Sequence, residues 1–333
     1  MALILVTGGC GYIGCRLVPA LLADGHSVRV LDCQYFGDHV PRPTQFSERL
    51  RVDRTDIRQT AEVGRALEGV DAVVHLAAMS NDPSAELDPE FTRAINLDAT
   101  MSLIQAAKGQ GVPRFINAST ATVYGVREEA DVDEAFEHNP VSLYGKYKSE
   151  TDKYLSAESS PAFVGVNLRA ATVCGWSPRP RLDLTVNILA AQARAQGVVR
   201  VHGGQQKRPN VVIDDLVRAY QLLLCAPASA VSGESFNVAA SSLSILEIAH
   251  RVISAVGRKD CELVIEPIID RRSYHVSARK IADRLGFSCR LDIEEGARQI
   301  ADAIEDGRLA DPSSQEHVNI KHLTKIGAVQ RRV

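Results

Sequence analysis

Short apolar runs at residues 3–6, 28–31, 72–76, 115–118 and 163–168 are each bounded by polar or turn residues. Runs of this kind, with no polar alternation, suit strands covered on both faces, as in a parallel sheet. Between them the apolar positions change period. Ile13, Leu17, Leu21 and Leu22 recur at helical spacing, as do Ile95, Ala99, Leu103, Ala106 and Ala107. Strand alternating with helix predicts an α/β fold built on a doubly wound parallel sheet. Beyond about residue 170 the rhythm loosens: Pro178, Pro180, Gly203-Gly204 and Pro209 separate helical patterns at 184–196 and 214–225. Ser244 and Glu247 form a capping-box pattern ahead of the apolar face Ile245, Ile248, Ala249 and Val252. The expected organisation is a first domain of residues 1–172, with a later contribution from about 208–240. A smaller, mostly helical and discontinuous second domain spans 173–333, and the ligand cleft lies between the two.

A chain of 333 residues with 45% apolar and 24% charged positions can bury a sizeable core, which excludes disordered and fibrous classes. The net charge of −3, with basic residues spread along the chain, shows no footprint for a nucleic-acid backbone. Residues 1–6 are apolar but lack a basic flank, and Thr7-Gly8-Gly9 interrupts them far short of an export signal or membrane span. The expectation is a cytoplasmic chain with neither nucleic acid nor membrane as partner. Seven cysteines and nine histidines are scattered without metal-ligand spacing, so no metal site is expected.

The first strand runs into Thr7-Gly8-Gly9-Cys10-Gly11-Tyr12-Ile13-Gly14 and then into an amphipathic helix, the setting that gives a glycine motif meaning. Gly8 suits the tight turn, Gly11 admits a pyrophosphate near the backbone, and Gly14 allows helix to pack on strand. Free amides at the helix start, around Tyr12 and Ile13, favour the diphosphate. Asp32 ends the second strand, where a carboxylate reaches the ribose hydroxyls of a dinucleotide. Cys33, Gln34 and Tyr35 follow it, so no cation awaits an extra ribose phosphate, and NAD is the expected cofactor of a Rossmann-type fold. Asp56 and Ile57, after the third strand position, are placed at the adenine.

Tyr144 and Lys148 are four residues apart, on one face of a helix. A phenol with an ordinary pKa near ~10 is a poor base unless positive charge stabilises its anion, and Lys148 can supply that charge. The fourth strand of the motif-bearing series ends in Ser119-Thr120-Ala121-Thr122-Val123-Tyr124-Gly125, a hydroxyl cluster at the sheet edge where ligands bind. Thr120 can donate to a sugar oxygen that becomes a carbonyl; the alternative is a turn satisfying its own backbone.

Together the glycine motif, this hydroxyl segment and the Tyr144/Lys148 pair resemble the extended short-chain dehydrogenase/reductase family of nucleotide-sugar epimerases and dehydratases. Further matches are His75-Leu76-Ala77-Ala78, Asn96, Leu168-Arg169, Asn187, Arg208-Pro209 with Asp215, Phe236-Asn237-Val238, and Arg272-Ser273-Tyr274 before Leu285-Gly286-Phe287. The resemblance implies Thr120, Tyr144 and Lys148 as catalytic residues. It implies Leu76, Ala77, Ala78, Asn96, Ala118 and Ser119 beside the cofactor, and Asn187, Arg208 and Arg272 at the diphosphate of a nucleotide sugar. It also implies a homodimer that pairs the helix after Asn96 with the helix carrying Tyr144.

The family's 4,6-dehydratases carry an Asp-Glu pair where this chain has Ala121 and Thr122. Neither residue transfers protons well, so elimination has no obvious agent. The preferred reading is therefore a nucleotide-sugar 4-epimerase. A dehydrogenase or ketoreductase, a dehydratase and a non-catalytic NAD-binding protein are the alternatives. Met79, Ser80, Asn81 and Thr172 are placed at the sugar. Ala118 stands where many hexose epimerases have serine, and the 174–183 segment departs from the hexose-epimerase loop, pointing to an unusual sugar. Within it, Arg179 and Arg181 read as a solvated loop rather than ligand contacts, since arginines are mostly exposed. Trp176 reads equally as a stacking platform or a core anchor, and His75 as a satisfied structural histidine.

Overall fold

The computed structural model describes residues 1–127, 129, 131–267 and 275–327. Its strands are β1 Leu3–Thr7, β2 Ser27–Asp32, β3 Leu50–Arg54, β4 Ala72–His75, β5 Arg114–Thr120, β6 Val164–Ala170, β7 Thr172–Cys174, β8 Val198–His202, β9 Lys207–Val212, β10 Ser235–Val238, β11 Ser241–Ser244 and β12 Glu262–Glu266. The α-helices are α1 Gly14–Ala23, α2 Thr60–Ala66, α3 Asp82–Ala85, α4 Pro89–Arg93, α5 Thr100–Gly109, α6 Leu143–Glu158, α7 Thr185–Gln196, α8 Ile213–Cys225, α9 Ala228–Val231, α10 Ile245–Val256, α11 Arg279–Leu285, α12 Ile293–Glu305 and α13 Asn319–Lys325.

Seven strands form one parallel sheet in the order β10-β6-β5-β4-β1-β2-β3. The order runs outward from β1 to β3 and restarts with β4 on the other side of β1, so the topological switch lies between β1 and β4. Thr7 is in register with both Leu31 and His75, which aligns the carboxyl ends of three strands at that switch. Alternate residues explain why the strands read as continuous apolar runs. Ile4 and Val6 pack with Leu17, Leu21, Leu216 and Tyr220 under α1 and α8. Leu5 and Val73 pack with Leu67, Leu103, Ile104 and Phe115 on the opposite face.

In the second half, α7, α10 and α12 close over the parallel pair β8–β12, with Leu189, Val199, Ile248, Val252 and Ile300 buried together. The capping box at Ser244 is formed in both directions, starting α10. A three-stranded sheet, β11-β9-β7, bridges the two halves. The strands of this half lie outside the helical pattern because they are short and carry polar positions, as in the Ser-Ser-Leu-Ser of β11. The last helix does not join the second cluster. Leu323 of α13 packs with Ile57, Met79, Phe91 and Ile95 beside the main sheet.

Candidate active site

A cavity of about 650 Å³ opens at the carboxyl ends of β1, β2, β4 and β5 and extends to β8 and β9. Of the residues assigned to the cofactor, Gly8, Gly11, Tyr12, Ile13, Gly14, Asp32, Cys33, Asp56, Ile57, Leu76, Ala77, Ala78, Ala118, Ser119, Tyr144 and Lys148 line it, and Asn96 does not. Gly8 has φ +71° and a Cβ there would lie 2.6 Å from the Ala77 amide nitrogen, so only glycine lets β1 turn against the chain leaving β4. The Asp32 carboxylate accepts from the Cys10 amide (2.9 Å) and the Gln34 amide (2.7 Å), which aims it across the end of the glycine turn. Burial pushes its pKa up while those two amides pull it down. A cradle that a side chain would fill, first-turn helix amides and an acceptor-only carboxylate fit a dinucleotide. Asp56 is held by Arg58 through both oxygens, at 3.0 and 2.8 Å. Asn96 works from behind: its side chain accepts from the Met79 amide (2.8 Å) and donates to the Met79 carbonyl (3.0 Å), so it shapes the wall without facing the cavity.

Tyr144 and Lys148 sit on α6, whose first turn is capped by Ser142 accepting from the Gly145 amide at 3.1 Å. Ser142 in turn donates to Asp82 at 2.7 Å, tying the helix start to α3. Both residues line the cavity with Thr120 and Thr122. The buried Lys148 Nζ donates to the Ala118 carbonyl at 2.6 Å, and burial pushes its pKa down to about 8, opposed by Asp152 one turn further along the same face. Thr120 Oγ1 accepts from the Thr122 amide (3.2 Å) and lies 3.1 Å from the Thr122 hydroxyl. The Ser119 hydroxyl donates inward to Asp152 at 2.8 Å.

Beneath this face the sequence reading missed a buried polar network. Asp152 pairs with Arg169 at 2.9 Å, Arg169 donates to the Tyr124 hydroxyl (2.8 Å), and that hydroxyl donates to Asn237 (2.8 Å). The matches at Leu168-Arg169 and Phe236-Asn237-Val238 hinted at it, but their meeting depends on β6 and β10 being neighbours. His75 is fully buried between Thr7 Oγ1 (2.7 Å) and Thr100 Oγ1 (3.0 Å), the satisfied histidine expected.

Of the residues assigned to the substrate, Met79, Ser80, Asn81, Thr120, Thr172 and Arg208 line the cavity, together with Arg200, His202 and Gln206. Arg272 lies outside the described residues. Asn187 does not reach the cavity. Its buried amide accepts from the Gly175 amide (2.8 Å) and donates to the Tyr12 hydroxyl (3.2 Å) and the Arg181 carbonyl (2.9 Å), making it a strut between the glycine turn and the 175–181 segment. The solvated reading of Arg179 and Arg181 is overturned: both are buried and line the cavity. Arg181 forms a fork with Asp183 at 2.9 and 3.0 Å, and Asp183 is bonded by Asn81 Nδ2 at 3.0 Å. Trp176 lies outside the cavity against the second cluster, with Arg308 4.4 Å over its ring. Among the described residues no group of side chains could hold a metal, and no helix is long and apolar enough to cross a membrane.

Comparison with known proteins accords with this geometry. The chain is 32% identical over 77% of its length to an uncharacterised UDP-glucose epimerase of Bacillus subtilis, covering 83% of that protein. It is 28% identical over 92% of its length to a dTDP-glucose 4,6-dehydratase of Streptomyces niveus, covering 93% of it. The crystal structure of Thermus thermophilus UDP-glucose 4-epimerase in complex with NAD superposes with a TM-score of 0.79 at 27% identity, over 91% of this chain and 99% of that one. Residues 4–239 match the NAD dependent epimerase/dehydratase family as a whole. With the sheet order, the glycine turn and the Tyr144/Lys148 helix in place, the chain belongs to that NAD-dependent family of the extended short-chain dehydrogenases/reductases.

Proposed function

We propose that the protein is a nucleotide-sugar 4-epimerase working through a transient 4-keto sugar. The observation that carries this is the set of groups on the cavity wall: a phenol with an ammonium one helical turn away, a threonine hydroxyl, and no acid–base pair after it. Tyr144 takes the proton from the sugar 4-hydroxyl and later returns it. Lys148, held by the Ala118 carbonyl, favours the phenolate by its charge. Thr120 donates to the sugar oxygen as it becomes a carbonyl. NAD, held by the glycine turn and Asp32, would supply reversible hydride acceptance there and would not be consumed. Ala121 and Thr122 leave elimination without a proton carrier, which weighs against a dehydratase.

Met79, Ser80, Asn81 and Thr172 surround the sugar, while Arg208 meets the nucleotide diphosphate as a cation matched to phosphate oxygens. The relatives' names make UDP-hexoses the first substrates to try. Incubation with NAD and UDP-glucose or UDP-galactose should interconvert the isomers without a rise in reduced nicotinamide absorbance. Net NADH would make it a dehydrogenase, and a product lighter by one water a dehydratase. We also propose a cytoplasmic homodimer pairing α5 and α6 with their copies. Of the apolar residues noted along the helix after Asn96, Ala99 and Leu103 are buried within the chain and Ala106 is half-buried against the core that holds Leu103, so the dimer is tested by sedimentation, which should give a mass of two chains.

A further inference from the structure

Two buried arginines from one loop line the cavity, and their surroundings differ. Arg181 is neutralised by its fork with Asp183. Arg179, 3% exposed, forms no ion pair with any described carboxylate, and its guanidinium makes one hydrogen bond to the described residues, Nη2 to Asn319 Oδ1 at 2.6 Å. The guanidinium lies 3.8 Å over the ring of Phe36, just beyond β2. A buried cation with four of its five donors unspent is costly, and native structures pair such charges. Burial and the neighbouring Arg181 hold its pKa down to about 9, the mark of a charge short of compensation.

The location says which anion is missing. Two residues before Arg179, the Ser177 hydroxyl donates to the Tyr12 carbonyl at 2.7 Å, and the Tyr12 hydroxyl donates back to the Gly175 carbonyl at 2.7 Å. The loop is thereby fastened to the glycine turn, and the carboxylates whose charge reaches Arg179 are Asp183 of its own loop, already forked to Arg181, and Asp32 on the cofactor half. Arg208, Gln206 and Arg200 enter the cavity wall from different elements, β8, β9 and the turn between them.

We propose that Arg179 is the counter-charge of the cofactor's diphosphate, delivered from the substrate-side loop and oriented by Asn319 of the C-terminal helix α13. The glycine turn supplies amides from one side of the diphosphate and Arg179 supplies a full positive charge from the other. The same helix is anchored by Asn319 Nδ2 to Ser80 Oγ (3.2 Å) and by His322 to the Tyr35 carbonyl (2.8 Å), so it holds Arg179 against the cofactor half. This inference rests on the NAD dependence of the family and not on the epimerase reading.

The test is calorimetric titration of wild-type protein and Arg179→Met with NAD, ADP-ribose, adenosine and UDP, together with ligand-free melting. Loss of one charge-assisted contact should weaken NAD and ADP-ribose by about 10- to 100-fold, with adenosine and UDP within about twofold. The ligand-free melting temperature should hold or rise, because an unpaired buried charge has been removed. Unchanged NAD affinity, equal weakening of adenosine, or weakening confined to UDP would each overturn the proposal. Should Arg179→Met fail to fold, Asn319→Ala, which leaves the cation in place but unoriented, should weaken NAD and ADP-ribose severalfold and spare adenosine. No change in that variant would overturn it equally.

Discussion

Tyr144 and Lys148 illustrate how a residue's neighbours decide its chemistry. In the proposed mechanism the phenol acts as a base because a buried ammonium sits one turn along the same helix, where the Ala118 carbonyl holds it at 2.6 Å. Tyr144→Phe should lower kcat at least ~10²-fold while calorimetry shows NAD affinity little changed. A variant turning over at the wild-type rate would remove Tyr144 from the mechanism. His75, behind them, makes a different prediction. Burial, with the Lys148 charge second, pushes its imidazole down to about 3. Between that value and the ordinary ~6.5 the unfolded chain carries a proton the native chain lacks. The stability owed to neutral His75 is therefore complete above pH ~6.5 and is lost as pH falls, at up to ~1.4 kcal/mol per pH unit. Urea melts at pH 6.5 and 5 should show a shallower dependence in His75→Gln; equal slopes would mean other groups carry the acid response.

Elements place these residues through close backbone contacts. A Cβ on Gly14 would collide with the Gly9 carbonyl, so the approach of α1 to the end of β1 requires glycine there. Gly14→Ala should cost ~1–3 kcal/mol as overpacking and weaken NAD, read by chemical denaturation and titration. Gly64, inside α2, is the contrast: its Cβ would meet nothing nearer than Gln110 Nε2 at 3.7 Å. Gly64→Ala should stabilise by ~0.5–1 kcal/mol through helix propensity alone, and a loss of stability in chemical denaturation would contradict the open space around it. Strands β1, β2, β4, β5 and β6 and the helices α1 and α5 were legible because each buries both faces or one stripe, a pattern written in consecutive residues, whereas β3, half-buried or exposed along its length, carries no such run. Strands β7, β8, β11 and β12 were not, since they are short and take their pairing from distant partners.

At the scale of the molecule, the cavity is a joint between two packed clusters, and small polar struts keep it closed. Asn187 was assigned to a phosphate by resemblance, yet it bonds the glycine turn to the 175–181 segment and is fully buried. Asn187→Ala, which leaves Gly175 and Tyr12 short of partners, should cost ~1–3 kcal/mol and lower Tm by several degrees. Because the strut joins both ligand halves, NAD and UDP-sugar affinity should fall together. A loss of UDP-sugar affinity alone, with Tm unchanged, would restore the direct contact.

The amino-acid order by itself determined the parallel sheet, the glycine turn, Asp32 and the Tyr144/Lys148 face, because strand burial, tight turns and helical spacing are all local relations within about twenty residues. Tertiary structure alone decided the fate of the polar residues in the second half. Arg179 meets Asn319 across 140 positions of chain and Tyr12 meets Asn187 across 175. An arginine or asparagine carries no local mark of whether it will face water, ligand or another buried group; its partner settles that, and the partner arrives only when the two halves of the chain close on each other.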